Sequence, residues 1–503
     1  MDVRLALGYL GLSVVIWLAT WVQWWIGLPC VAIVVGLEFA LLWRVPLSYK
    51  PNRDAIIAAA IAGAWVLATN SGGVAYGSNG DWTKHLAILG ELVNHDWPVY
   101  LEGGLLRYYI GLYLPAAAAS KLGLYAGYAI SLWIWLGLAI GIYMLKQITK
   151  SSWILLSIVL IGFSGMDIAR LGFENTIGRP WWATHLERST FSQLEYSSFT
   201  TGLNWVPHHL ISALLGVGIW LRTDRDHKYV GLLCLFLVFW SVFVALGLLL
   251  LHLLVGHREI LRMFNRYNVV ALLPSIPVLL YLTAHAPDAP TGVWLLNWMH
   301  YPEDWPFYVP TLSILWRLQQ YITFVSLEFG ILAVMMFLVD PKLIFNRYVV
   351  STILLLLLLP ILAYGAFNDF TMRVATPALI LFFIWVVKTF ETPKPRAMTV
   401  VLTFILLLGL ATPSQSIMKS ILQGPGYNID HRIYTAQNSL ESAMYLMELQ
   451  QYRTIDETKT FNVGWPHPLP GEPGRAPYRE DPGIHRYLQN QYIAPGPVPF
   501  VKR

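Results

Sequence analysis

Apolar runs of about 17–25 residues recur along most of this chain, and each is long enough to cross a bilayer as a helix. Of its 503 residues, 56% are hydrophobic and 13% charged, about half the charged share of a soluble domain. A large soluble core would need polar faces on its helices, and these runs lack them. The expected fold is therefore all-α: a polytopic membrane protein of about 13 transmembrane helices.

Few other classes survive the composition. The net charge is +5, with Lys and Arg scattered rather than gathered into a stripe, which does not indicate nucleic acid, and no nucleic-acid partner is expected. Cys30 and Cys234 both fall inside apolar runs and read as small core residues, with no disulfide or metal framework. The first apolar stretch, from Arg4 to about Trp25, has no small-residue cleavage pattern and reads as a retained span.

The spans are drawn at 5–23, 28–43, 54–70, 124–146, 151–168, 204–221, 229–240, 241–256, 267–285, 321–339, 347–365, 374–390 and 397–413. The pair within 229–256 reads equally as two short spans, a re-entrant pair or one long helix. With the N-terminus in the cytoplasm, about half of the 34 Lys and Arg residues fall in the inner loops, among them Arg44, Lys50, Arg222, Arg225, Lys228, Arg258, Arg262 and Arg266, as the positive-inside rule requires. This drawing makes 105–120 a helix lying on the outer surface. Residues 1–423 form the transmembrane domain, with long outer segments at 71–123, 169–203 and 286–320. Residues 424–503, polar and rich in Pro and Gly, form a small extracytoplasmic C-terminal segment. Loops of such length commonly carry function.

The first outer segment holds the clearest constellation. Gly80-Asp81-Trp82-Thr83-Lys84-His85 gathers ionisable groups beside a span, where charge is expensive and marks a site. Trp82, Leu86, Leu89 and Leu92 carry the apolar spacing of a helix lying at the interface. Asp81 is either the cap of that helix or a carboxylate held at the water boundary as a general base. His95-Asp96-Trp97-Pro98 follows, and then Arg107-Tyr108-Tyr109. Two later segments stand out. Asn204-Trp205-Val206-Pro207-His208-His209 begins a span, and Asn368-Asp369-Phe370-Thr371-Met372-Arg373 forms a short outer turn. His208 suits the membrane interface or a ligand. Arg373 snorkels, pairs with Asp369, or holds a phosphate, which its planar fork matches well. Glu328 lies inside a span and either contacts a sugar hydroxyl or pairs with an Arg.

Together, an acidic residue early in the first large outer loop, a surface helix, a Pro/Tyr-rich turn and a second surface helix resemble the GT-C superfamily of integral membrane glycosyltransferases, which use polyprenyl-phosphate-linked sugars. The order of features covers residues 54–150, and 204–209 and 368–377 resemble pieces of large bacterial members. The resemblance implies that Asp81 is the catalytic base. It implies donor phosphate contacts from Arg373, Lys84, His85, Arg107 and Arg188, and sugar or acceptor contacts from His208, Glu102, Tyr108, Asp369 and Glu328. A single displacement would invert the anomeric centre. The superfamily's second nearby acidic residue is replaced here by the more distant Asp96 and Glu102. No cofactor is implied. A divalent metal would have to come from His185, Glu187, His208 and His209, whose spacing matches no strong ligand motif. The implied partners are a polyprenyl-phosphate-sugar donor, a glycan, lipid or protein acceptor, and the bilayer. The implied location is the bacterial cytoplasmic membrane, with the active site and C-terminus extracytoplasmic. Two alternatives remain: a lipid-sugar transporter or flippase, against which speaks the scarcity of mid-span charge and the lack of repeats, and a polymerase or ligase using a lipid-diphosphate oligosaccharide.

Overall fold

The computed structural model describes residues 2–42, 52–72, 81–101, 104–106, 108–172, 186–187, 194–223, 225–283, 293–295, 314–364, 368 and 370–422. The expected C-terminal segment 424–503 lies outside them, as does most of the outer segments 169–203 and 286–320.

Apolar sequence and helix coincide throughout. The helices are α1 (Asp2–Thr20), α2 (Trp24–Leu42), α3 (Arg53–Thr69), α4 (Asp81–Asn94), α5 (Leu114–Lys121), α6 (Ala126–Thr149), α7 (Trp153–Gly162), α8 (Phe199–Trp205) and α9 (Pro207–Arg222). They continue with α10 (Val230–Trp240), α11 (Val242–Gly256), α12 (Arg266–Thr283), α13 (Ile314–Val325), α14 (Ile331–Val339), α15 (Arg347–Leu358), α16 (Thr376–Glu391), α17 (Arg396–Gly409) and α18 (Ala411–Leu422). Extended structure among the described residues is limited to two short antiparallel ladders, Tyr100–Leu101 with Gly104–Leu105 and Val293–Leu295 with Leu362–Tyr364.

Six helical stretches among the described residues are long and apolar enough to cross a membrane: Val3–Thr20, Trp24–Leu42, Ala126–Thr149, Val242–Met263, Leu315–Val339 and Arg396–Leu422. Trp153–Gly162, His227–Trp240, Arg266–Leu282 and Arg347–Ile361 are shorter apolar helices. This is a multi-pass helical membrane protein. The outward surface of the bundle is apolar, with residues such as Phe39, Ile56, Leu280 and Phe404 exposed, as a lipid-facing surface must be.

Several boundaries differ from the expectation. The stretch 229–256 is two helices broken at Ser241, whose extended backbone (φ −169°, ψ 108°) leaves its hydroxyl to cap α11 by accepting from Val244 N. His227 before α10 and His252 near the end of α11 lie 3.0 Å apart through their ring nitrogens, so the two helices run antiparallel. The span expected at 151–168 stops at Gly162. There Gly165 packs directly against the Glu328 carboxylate with no room for a side chain, and a 3-10 turn, Asp167–Gly172, follows. The helix expected on the surface at 105–120 is instead a 3-10 turn, Ile110–Leu112, followed by α5. Leu106, Ile110, Leu112, Tyr113, Leu114 and Ala117 are buried, so this segment is wedged into the bundle.

Candidate active site at the start of α4

Helix α4 begins at Asp81 and buries the face that its sequence period defines: Trp82, Leu86, Leu89 and Leu92 are all fully buried. Two of its side chains reach consecutive carbonyls of α8. Trp82 Nε1 donates to Asn204 O at 2.8 Å, and His85 Nε2 bonds Trp205 O at 2.7 Å. A carbonyl only accepts, so His85 Nε2 carries the proton. Its Nδ1, free to accept in the neutral ring, lies 2.5 Å from Tyr113 OH. At the other end of α4, Lys121 Nζ donates to Val93 O and His95 O at 3.0 and 2.7 Å, satisfying carbonyls that a helix end leaves unpaired. The helix that carries Asp81 is thus tied at both ends.

The carbonyls it meets are themselves fixed. Ser198 caps α8 by accepting from Thr201 N at 3.0 Å. The chain then breaks at Val206 (φ −141°, ψ 61°), and Pro207 opens α9, the first-turn position where its missing N–H costs nothing. The break sends His208 and His209 inward, fully buried, with ring centroids 4.0 Å apart. His208 lies 5.9 Å from His85, 6.3 Å from Tyr108 and 6.2 Å from Tyr109, the last in a stacked geometry. His209 Nδ1 lies 2.6 Å from Ser241 Oγ, and its ring meets Phe243 at 6.2 Å. The Arg373 guanidinium sits 5.6 Å over that Phe243 ring, a cation held on an aromatic face. Arg373 belongs to a π-turn, Phe370–Val374, that precedes α16; such turns concentrate at functional sites.

The structure therefore brings together His85, Tyr108, His208 and Arg373 through shared aromatic neighbours. Asp81 and Lys84 occupy the first turn of the adjoining helix, but their side chains, like Arg107, Arg188, Glu102 and Asp369, lie outside the described residues. Both ring nitrogens of His85, expected at the donor phosphate, are engaged by Tyr113 and Trp205 and tether α4 to α8. Glu328 is not in this group. It sits in a second π-turn, Ser326–Gly330, against Gly165 and electrostatically close to Tyr196.

Beside the aromatic group lies a buried polar layer. Asn204 Nδ2 donates to Ser420 Oγ at 3.0 Å and Ser416 Oγ at 3.3 Å on α18. Asp167 Oδ2 accepts from Ser164 at 3.1 Å and Thr412 at 2.9 Å. Glu187 Oε1 accepts from Ser198 N at 2.9 Å. Burial pushes the Glu187 carboxyl well above its usual range, and Glu195 and Asp167 add to the rise; three buried carboxyls cannot all hold charge cheaply. On α4, burial raises Glu91 to about 8.

Sequence reasoning did not single out Tyr113, Ser241, Phe243, Asp167 or Glu195. Ser241 did leave a signal: with His252 it interrupts an otherwise apolar run. Among the described residues, no group of three or more His, Cys, Asp or Glu is arranged to hold a metal ion. Glu187 stands with Glu195 and Asp167 rather than with His208 and His209, and His185 lies outside the described residues.

Comparison with protein-family models, with curated proteins and with solved structures finds none that matches this chain.

Proposed function

We propose that this protein is a membrane glycosyltransferase that moves a sugar from a polyprenyl-phosphate-linked donor to an acceptor hydroxyl at the non-cytoplasmic face. The resemblance to GT-C enzymes motivates the reading. One observation carries it: parts of the three segments on which that resemblance rests, 54–150, 204–209 and 368–377, are far apart in sequence yet meet at one place. Trp82 and His85 hold Asn204 and Trp205, while His209 and Arg373 share Phe243.

In this reading the acceptor oxygen attacks the anomeric carbon while Asp81 takes its proton. The bond from that carbon to the phosphate oxygen breaks, and the pair of electrons leaves with the lipid phosphate. Arg373 meets the departing charge, joined by Lys84, and a cation placed where charge develops lowers the barrier. The aromatic walls Tyr108 and Tyr109 exclude water from the sugar. Mass spectrometry of the full chain extracted from its own membranes tests the binding half of the proposal. A lipid-phosphate sugar should travel with the wild-type protein and be lost from Arg373→Ala. A variant that keeps it to the same extent removes Arg373 from the donor site.

A further inference from the structure

A second polar site lies at the other end of the same helices. Along α9, Trp220 lies twelve positions beyond His208, about 18 Å of helix. Along α11 the chain runs from Phe243 at the candidate active site to His252. At these far ends, on the side where the positive-inside rule puts the cytoplasm, is a cavity of about 340 Å3 lined by Arg225, Lys228, Arg262, His227, His252 and Glu259, among others.

Its imidazoles are already committed. Trp220 Nε1 donates to His252 Nδ1 at 2.9 Å, so a neutral His252 carries its proton on Nε2. That nitrogen lies 3.0 Å from His227 Nδ1, and His227 Nε2 lies 3.3 Å from Glu259 Oε2. The chain of donors runs one way and ends on a carboxylate, so the histidines are wall. Glu259 also meets Arg262 at 3.2 Å, and Asp226 meets Lys228 at 3.4 Å. Arg225 is different. Its backbone is left-handed (φ 58°), and its guanidinium lies 4.7 Å over the Tyr348 ring. Among the described residues it has no carboxylate within ion-pair reach. Among the described residues the cavity therefore presents three cations against two carboxylates, and the Arg225 guanidinium is the cation without a paired carboxylate.

Apolar side chains adjoin the cavity. Ile260, Leu261 and Phe264, on and just after the 3-10 turn His257–Met263 that carries Glu259 and Arg262, are 42%, 79% and 81% exposed. A soluble anion would satisfy the cations and leave these neighbouring apolar side chains bare. A phospholipid satisfies both, with its phosphate on the cations and its acyl chains over the apolar side chains of the adjoining turn.

We infer that this cavity binds the phosphate headgroup of an anionic phospholipid in the leaflet opposite the candidate active site. Arg225 supplies the planar fork that matches phosphate oxygens. Lys228 and Arg262, with side chains 55% and 71% exposed, add charge at the mouth. Basic pockets between transmembrane helices suit such headgroups.

The test is a titration of the delipidated full chain in neutral detergent with phosphatidylglycerol, phosphatidylcholine or inorganic phosphate, followed by native mass spectrometry. Phosphatidylglycerol should bind at least about fivefold tighter than phosphatidylcholine, the value of roughly one surface cation. Arg225→Ala should erase the difference. Because Arg225 also packs on Tyr348, the double variant Lys228→Ala with Arg262→Ala provides a second reading through exposed side chains, and it should keep the wild-type melting temperature while losing at least half of the preference. Equal binding of the two lipids, or a double variant of unchanged melting temperature that still prefers phosphatidylglycerol fully, overturns the inference. So does inorganic phosphate displacing the lipid as readily as phosphatidylglycerol does.

Discussion

His85 donates through Nε2 to the carbonyl of Trp205, 120 residues further along the chain, at 2.7 Å. This bond fixes the helix that starts at Asp81 against the break that turns His208 and His209 inward. Removing the ring leaves a buried carbonyl without its donor, which costs about 1–3 kcal/mol. His85→Ala should therefore melt well below wild type, and Tyr113→Phe, which loses only one hydroxyl hydrogen bond, should cost about 1 kcal/mol. Thermal unfolding of the two variants in the same detergent checks the order.

The turn that leads from α3 toward Asp81 depends on Gly72. Its φ of +105° is a region that side chains rarely adopt, and a Cβ there would collide with Ser131 Oγ. Gly123 has a similar φ of +101° but open space around it. Gly123→Ala should cost only backbone strain, about 1–2 kcal/mol. Gly72→Ala adds the collision, about 1–3 kcal/mol more. Equal melting temperatures for the two variants would contradict the geometry.

Glu91 makes stability depend on pH. Burial raises its carboxyl from 4.5 to about 8, and its Oε2 lies 3.3 Å from His95 Nε2. Burial, and then Lys121, lower His95, so a neutral imidazole faces a neutral carboxyl. Between 4.5 and about 8 the unfolded chain has released the proton that the folded chain keeps. Stability therefore falls as pH rises through that window and levels off above it. At pH 7 the loss is about 3 kcal/mol. Glu91→Gln, which cannot ionise, should show a flatter profile and a higher melting temperature than wild type at pH 7. A variant whose profile parallels wild type would mean that Glu91 ionises in the folded state.

Asn204 joins α8 to α18 through Ser416 and Ser420 while its own carbonyl holds Trp82. Asn204→Ala leaves two buried hydroxyls short of a partner and should cost about 1–3 kcal/mol. Asn204→Ala on a Ser416→Ala/Ser420→Ala background should cost less than on wild type, which a double-mutant cycle measures.

Much of this was legible locally. The face of α4 follows from the spacing of Trp82, Leu86, Leu89 and Leu92, and all four are buried as that period requires. Pro207 marks the start of α9, and Ser241 marks a break that hydropathy alone left open. What could not be read was which spans are neighbours. Nothing near His209 in the sequence announces Ser241 or Phe243, because the contact depends on how α9, α10 and α11 pack. Segment 105–120 is buried rather than on the surface for a related reason: aromatic residues suit both a membrane surface and a bundle interior, and only the surrounding helices decide.

The most direct measurement is sugar transfer by the purified chain in a bilayer, with a radiolabelled polyprenyl-phosphate sugar as donor and a mixture of candidate acceptors. Wild type should move the label to an acceptor with inversion at the anomeric carbon. Asp81→Asn, which keeps the shape but cannot take a proton, should lose at least about 100-fold while melting at the wild-type temperature. Transfer by Asp81→Asn at the wild-type rate would contradict the account.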